Sequence, residues 1–295
     1  MSDRLCLFGG GLDTGNLGVD ALTRSVIDAV LKREPGTDIV VFDHSHGARE
    51  KDGVRFFGAR WSRRVYKNDT LNNLSAAVKL GGAWNPGARA LCGASAVMDI
   101  SGGDSFSDLY GMKRLGLVNR PKHLAIGAGV PLVLLPQTYG PFTDASARAD
   151  AEKIVRAASV VWARDERSYA TLKDLLGDRF DPARHRCGVD VAFALQRRET
   201  TDIPNKITEW FADDAPVAGL NVSGLIHNRP EHAREQYSLN FDYMPAVQDL
   251  AEKILRDDPS VRLLLVPHVA PSHKRSSESD ESACEALKEL LDPEF

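Results

Sequence analysis

Three short polar clusters hold the residue types that could do chemistry. Asp104 follows two glycines in "SGGDSFSD". A carboxylate with open space beside it can bind a ligand hydroxyl or take its proton, although Asp also caps turns and helices. Arg164 directly follows "SVVWA". Its planar fork suits phosphate and carboxylate groups alike, and an ion pair with Asp165 or a neighbouring acid is the competing role. Gln137, Thr138 and Tyr139 follow "PLVLLP" and offer an amide, two hydroxyls and a ring able to stack on a sugar. Asp108 and Tyr110 are further candidates for sugar contacts. Pro136 and Pro141 read as structural.

A fourth cluster, "LCLFGGGLDTGNLGVDAL", lies near the N-terminus. Gly9 and Gly11 fit the start of a G-x-G-x-x-G dinucleotide fingerprint, but Thr14 occupies the third place. No Gly-Lys-Ser/Thr follows, so a P-loop is absent. Gly15 and Gly18 let a ligand approach the backbone, and Asn16 offers both a donor and an acceptor. A tight strand-to-helix turn with a polar cap explains the same residues.

The surrounding elements give these clusters a common position. "RLCLF", "DIVVFD", "AVMDIS", "PLVLL" and "SVVWA" are apolar runs of strand length. Helical patterns in "DALTRSVIDAVLKRE", "DASARADAEKIVRAA" and "RDERSYATLKDLL" alternate with them. Alternation of this kind predicts a parallel sheet covered on both faces, with ligands at the carboxyl ends of the strands. Residues 44 to 90 read as loops and one helix, and "VDVAF" as a last short strand end. The polar stretch 199–215 reads as a linker without a strand. Beyond it, "VAGLNVSGL", "MPAVQDLAEKILRDD", "VRLLLVPHV" and "ESACEALKELL" open a second α/β unit. The expected organisation is a Rossmann-like domain over 1–198, a linker over 199–215 and a partial Rossmann-like domain over 216–295.

Composition narrows the function classes. The formal net charge is -4 over 295 residues, with 37 basic and 41 acidic side chains. The two signs read as well mixed and no basic stripe stands out, which disfavours nucleic acid as a partner. Cys6, Cys92, Cys187 and Cys284 are far apart and predict neither a zinc site nor a disulfide framework. No apolar run reaches the length of a membrane span, and no signal peptide is visible. A cytoplasmic protein without metal or cofactor is expected.

Five segments in this order and at these spacings resemble the polysaccharide pyruvyl transferase family. They are "GNLGVDAL", "SGGDSFSDLYG", "LPQTYGPF", "ARDERS" and "GVDVAF". The resemblance covers most of residues 1–193 and continues through "LNVSGL" and "LLLVPH". It implies a GT-B-like fold of two Rossmann-like domains, the N-terminal one on the acceptor side and the C-terminal one on the donor side. It also implies transfer of a pyruvyl group from phosphoenolpyruvate to a saccharide, forming a ketal in cell-surface polysaccharide synthesis. The acceptor would be lipid-linked or nucleotide-linked, and any association with a membrane would come through that acceptor alone.

By this resemblance Arg164 lies near the donor and Asp104 near the acceptor hydroxyl. Gly15, Asn16, Gly18, Gly103, Gln137, Thr138 and Tyr139 line the substrates. Ser168 touches phosphate or caps a turn, and family members usually carry an acid where Asp190 stands. Val19 separates Gly18 from Asp20, where many relatives have Asn-x-Gly-Asp. The late Arg-x-His segment of the family, which would bind the donor and supply the acid, has no counterpart before "ELLDPEF". A C-terminally shortened member is therefore expected. His268, after a second-domain strand, is the remaining candidate acid; His44 and His46 could also line the site. A nucleotide-sugar glycosyltransferase of the same fold and an inactive saccharide-binding fragment are the rival readings.

Overall fold

The computed structural model describes residues 3–197, 203–271 and 277–291. Parts of the expected linker, of the polar loop "HKRSSESDES" and of the C-terminal "ELLDPEF" lie outside the described residues.

The chain divides into two compact units. One comprises 1–12 and 19–196; the other comprises 13–18 and 197–295. In the first unit the chain order is β1 (Arg4–Phe8), α1 (Leu17–Arg33), β2 (Asp38–Asp43), β3 (Ala48–Lys51), β4 (Val54–Gly58), α2 (Leu71–Val78), α3 (Pro86–Cys92) and β5 (Ala96–Asp99). Then come α4 (Met112–Gly127), β6 (Leu132–Gln137), α5 (Ala145–Ala157), β7 (Val160–Ala163), α6 (Glu166–Leu176) and β8 (His185–Cys187). The strands form one sheet in the order β3-β4-β2-β1-β5-β6-β7-β8. All neighbours are parallel except β3 and β4.

Alternation along the strands feeds two cores. Cys6, Phe8, Val40 and Phe42 join the cluster on one face; Leu7, Ile39 and Val41 join the cluster on the other. Phe8 and Phe42 stack with ring centroids 4.3 Å apart. Asp144 and Asp165 cap α5 and α6 by accepting bonds from the first-turn amides of Ala147 and Ser168, as N-cap carboxylates do.

Two expectations are corrected. Residues 44 to 90 hold the β3–β4 hairpin and two helices, α2 and α3, rather than loops and one helix. "VDVAF" is not a strand end: Val191–Ala194 is a 3-10 turn, opened by Asp190, whose Oδ1 accepts from the Ala192 amide at 2.9 Å. The strand at that edge is β8, a few residues earlier.

The second unit contains α7 (Asn205–Trp210), inside the expected linker, then β9 (Val217–Leu220), α8 (Gly224–His227), α9 (Pro230–Tyr237), α10 (Tyr243–Asp257), β10 (Arg262–Leu265) and α11 (Asp280–Leu290). β9 and β10 pair in parallel, with a core around Val222, Ala251, Ala283 and Leu287. Buried Asp280 ties the two strand-end loops together. Its carboxylate accepts from the amides of Gly224, His268 and Val269 at 2.8, 3.1 and 3.0 Å.

Candidate functional site

From β1 the first-unit chain runs outward through β2 and β4, then returns to place β5 on the other side of β1. This reversal sets a switch point at the carboxyl ends of β1 and β5, where open α/β sheets bind ligands. Here the floor is closed by the protein itself. Gly9 has φ +74, and a Cβ there would stand 2.4 Å from the Ser101 amide nitrogen. The Gly102 amide donates to the Gly9 carbonyl at 2.6 Å. The glycines after β1 thus serve close approach of two backbone turns.

Above that floor, several predicted residues come together. The Thr138 amide donates to the Gly103 carbonyl at 2.8 Å, and the Arg164 amide to the Gln137 carbonyl at 3.1 Å. Arg164 Nη1 lies 3.3 Å from where a Cβ on Gly103 would stand, so the guanidinium borders the residue preceding Asp104. Nη1 donates to Asp190 Oδ2 at 2.8 Å, and Nε lies 3.7 Å from Asp165. An open hollow of about 540 Å³ adjoins the arginine, lined by Arg164, Asp165, Val189, Asp190, Ala192 and Phe193. Phe193 is 84% exposed. Two carboxylates face one guanidinium there, so the lining is not by itself a cationic cradle. The Asp104 carboxylate accepts from the Tyr110 hydroxyl at 2.6 Å and lies 3.3 Å from Ser105 Oγ.

Other predicted residues are occupied elsewhere. Gln137 is buried and donates its amide to the Asp99 carbonyl at 3.1 Å. Tyr139 is buried edge-on against Phe106, with centroids 5.6 Å apart, and presents no face on which a sugar could stack. Burial pushes its phenol well above the ordinary range; the Asp99 charge adds to this and the Gln137 side chain opposes it. Ser168 is buried in the first turn of α6, and its amide bonds Asp165, a capping role. Asp108 accepts from the amides of Thr143 and Asp144, closing the loop before α5.

Gly15, Asn16 and Gly18 fall in the second unit, together with His268. Asn16 bridges Val269 in antiparallel fashion, the Ala270 amide donates to the Gly15 carbonyl at 2.7 Å, and the Leu17 amide donates to the His268 carbonyl at 2.9 Å. Gly15 has φ +78, and a Cβ there would meet Pro271 at 2.7 Å. The freedom of this glycine serves contact with a protein segment. The candidates therefore form two groups, one in each unit.

Sequence reasoning missed Lys122. It is fully buried on α4, with Nζ 3.0 Å from Asp99 Oδ1, 2.8 Å from Ser101 Oγ and 4.8 Å from the centre of the Phe106 ring. Ser101 returns two bonds to Asp99 Oδ1, at 3.1 and 2.7 Å. Burial pulls the Lys122 pKa below the ordinary lysine range, and Asp99 opposes that shift. This cluster sets the conformation of Ser101, whose φ is +45, and hence the Gly102–Gly103 turn that leads to Asp104. Strand-end Asp99 was the available signal, since a buried carboxylate needs a cation.

Among the described residues no group of His, Cys, Asp or Glu could hold a metal, and none of their helices is long and apolar enough to cross a membrane. All four thiols are free.

Fold and strand-end loops define an α/β protein of GT-B-like architecture. A protein assigned as a UDP-N-acetylglucosamine 2-epimerase from Listeria monocytogenes superposes with a TM-score of 0.51 at 11% identity, over 97% of this chain and 66% of that one. S. aureus MnaA, solved with UDP, gives 0.51 at 11% identity, over 99% and 66%. The chain thus spans slightly under two thirds of the length of these structures. No match was found among curated proteins. The model of the polysaccharide pyruvyl transferase family matches residues 16–272. The chain belongs to that family of transferases, and the extent of the match does not bear out the expectation of a shortened member.

Proposed function

We propose that the chain transfers the pyruvyl group of phosphoenolpyruvate to a saccharide, which it closes into a ketal. The supporting observation is that Arg164, after β7, and Asp104, after β5, flank Gly103 across the end of the intervening β6, with the guanidinium partly exposed beside an open hollow. Arg164 releases Asp190 to hold the donor anion, since its fork bonds carboxylate and phosphate oxygens equally well. Asp104, oriented by Tyr110, takes the proton of the first sugar hydroxyl. That hydroxyl adds to the enol carbon while the methylene carbon gains a proton. The C–O bond to phosphate then breaks, and a second hydroxyl closes the ketal, its proton leaving with phosphate. His268, in the second unit, is the candidate proton donor and is tested separately by His268→Asn. The acceptor is lipid-linked or nucleotide-linked.

The test supplies the chain with phosphoenolpyruvate and candidate saccharides, then measures inorganic phosphate and the ketal methyl signal by NMR. Equal amounts of both products are expected. The fold shared with a UDP-bound structure favours a second reading, transfer from a nucleotide-sugar; release of UDP without phosphate would select it.

A further inference from the structure

One face of the first unit carries apolar and basic side chains that neither the core nor the site uses. The segment after β4 reads "RWSRRVYK" over residues 60–67. Trp61, Val65 and Tyr66 in it are 43, 60 and 73% exposed. Side-chain amides of α2 hold the loop by its carbonyls. The Asn72 amide side chain donates to the Ser62 carbonyl at 2.8 Å, and that of Asn73 donates to the Val65 carbonyl at 2.7 Å. Trp84, also exposed, reaches Asn73 through Nε1 at 3.3 Å. On the other flank, Arg120 of α4 bonds Asn72 at 2.6 Å, and Trp61 sits edge-on to His44 at 4.7 Å. Burial lowers the His44 pKa, Asp43 opposes, and the nearby Arg114 charge adds to the fall. Met112, the first residue of α4, and Leu109, three residues before it, are exposed as well.

The charge of this region departs from that of the chain. Between Asp52 and Asp99 there is one acid, Asp69, against seven lysines and arginines, and from 109 to 143 there is no Asp or Glu. Asp69 is taken by Arg60 and His46 at 2.8 and 3.3 Å. Arg63, Arg64, Lys67 and Lys113 make no ion pair among the described residues. An otherwise acidic protein thus concentrates unpaired cations around exposed indole and phenol rings.

We infer that this face docks the protein on an anionic lipid bilayer. Trp and Tyr settle at the headgroup level of a bilayer, and lysines and arginines beside them are drawn to anionic headgroups. A single-stranded nucleic acid would also use rings and cations, but it gains nothing from Val65, Leu109 and Met112, which gain from contact with acyl chains. The face adjoins the candidate site: Arg114 bonds Ser105 at 3.2 Å, next to Asp104. This inference stands without the pyruvyl-transfer reading.

The full chain is floated with vesicles of phosphatidylcholine alone and of phosphatidylcholine with phosphatidylglycerol. It is expected to follow only the anionic vesicles, and to bind them progressively less as salt rises. Each positive charge removed is expected to weaken binding about fivefold, so Arg63→Gln with Arg64→Gln weakens it roughly 25-fold. Trp61→Ser with Tyr66→Ser weakens the part that resists salt. Lys32→Gln with Arg33→Gln, at the end of α1 where the chain enters the amino end of β2 and so at the other end of the strands from the loop after β4, leaves binding unchanged. Unchanged melting curves show that the variants fold. Equal flotation with neutral vesicles, none with either, equal loss in the Lys32/Arg33 control, or tighter binding to oligo-dT than to anionic vesicles would each overturn the assignment.

Discussion

Two cation–carboxylate pairs stand at strand ends of the same sheet, and they differ in which of them a ligand can reach. Lys122 and Asp99 meet at 3.0 Å with side chains 0 and 2% exposed. Arg164 and Asp190 meet at 2.8 Å with 30 and 22% exposed. The lengths are nearly equal, and solvent access is not. The sealed pair cannot change partners, because either charge left alone in the interior is penalised heavily. The half-open pair can, since water and an incoming anion both reach the guanidinium. The first fixes the turn that carries Asp104; the second is available to a ligand.

The sharpest way to break this contrast is Lys122→Met. It strands Asp99 in the interior and is expected to cost about 3–5 kcal/mol in urea unfolding. Adding Asp99→Leu should recover part of that loss, since an apolar pair is cheaper than one buried charge. Arg164→Met should do the reverse. Phosphoenolpyruvate-dependent phosphate release should fall about 10²–10³-fold, while stability changes by no more than about 1 kcal/mol. If instead it unfolds the protein as readily as Lys122→Met does, the two pairs are alike. Asp190→Asn should lower the KM for phosphoenolpyruvate several-fold, because the guanidinium no longer has to leave a carboxylate. A raised KM would make Asp190 a positioning residue.

The smallest effect is expected far from both pairs, at Asp38. Burial raises its pKa, but hydrogen bonds from Arg55 and Arg4 outweigh burial and hold it below the ordinary 3.8. Its folded pKa is depressed, so its contribution is full above the unfolded value and is lost as pH falls through the folded one. Asp38→Asn should therefore lower the melting temperature slightly near neutrality and not at all below the folded pKa.

The parallel sheet was legible in the sequence because strands buried on both faces read as unbroken apolar runs, as "DIVVFD" and "PLVLL" do. The β3–β4 hairpin was missed because an edge strand is polar: "AREK" has no apolar face to announce it. Its signal was Asp52-Gly53, both with positive φ, a turn pair that suits hairpins. Helix α4 contains Pro121 and no clear apolar stripe, so periodicity does not single it out, and Lys122 was overlooked with it. That Arg164, Asp104 and Gly103 lie near one another was legible because strand ends are predictable positions. That Tyr139 and Gln137 face inward was not, since a two-residue alternation loses its phase where β6 shifts register between Leu134 and Gln137.

The contact between Gly9 and the Ser101–Gly102 backbone bears on redesign. Rewriting Thr14 as glycine would complete the nucleotide-binding signature on paper, yet the berth where a pyrophosphate normally rests is already filled by main chain. Conversion to a dinucleotide enzyme would require rebuilding that second turn, not restoring one letter.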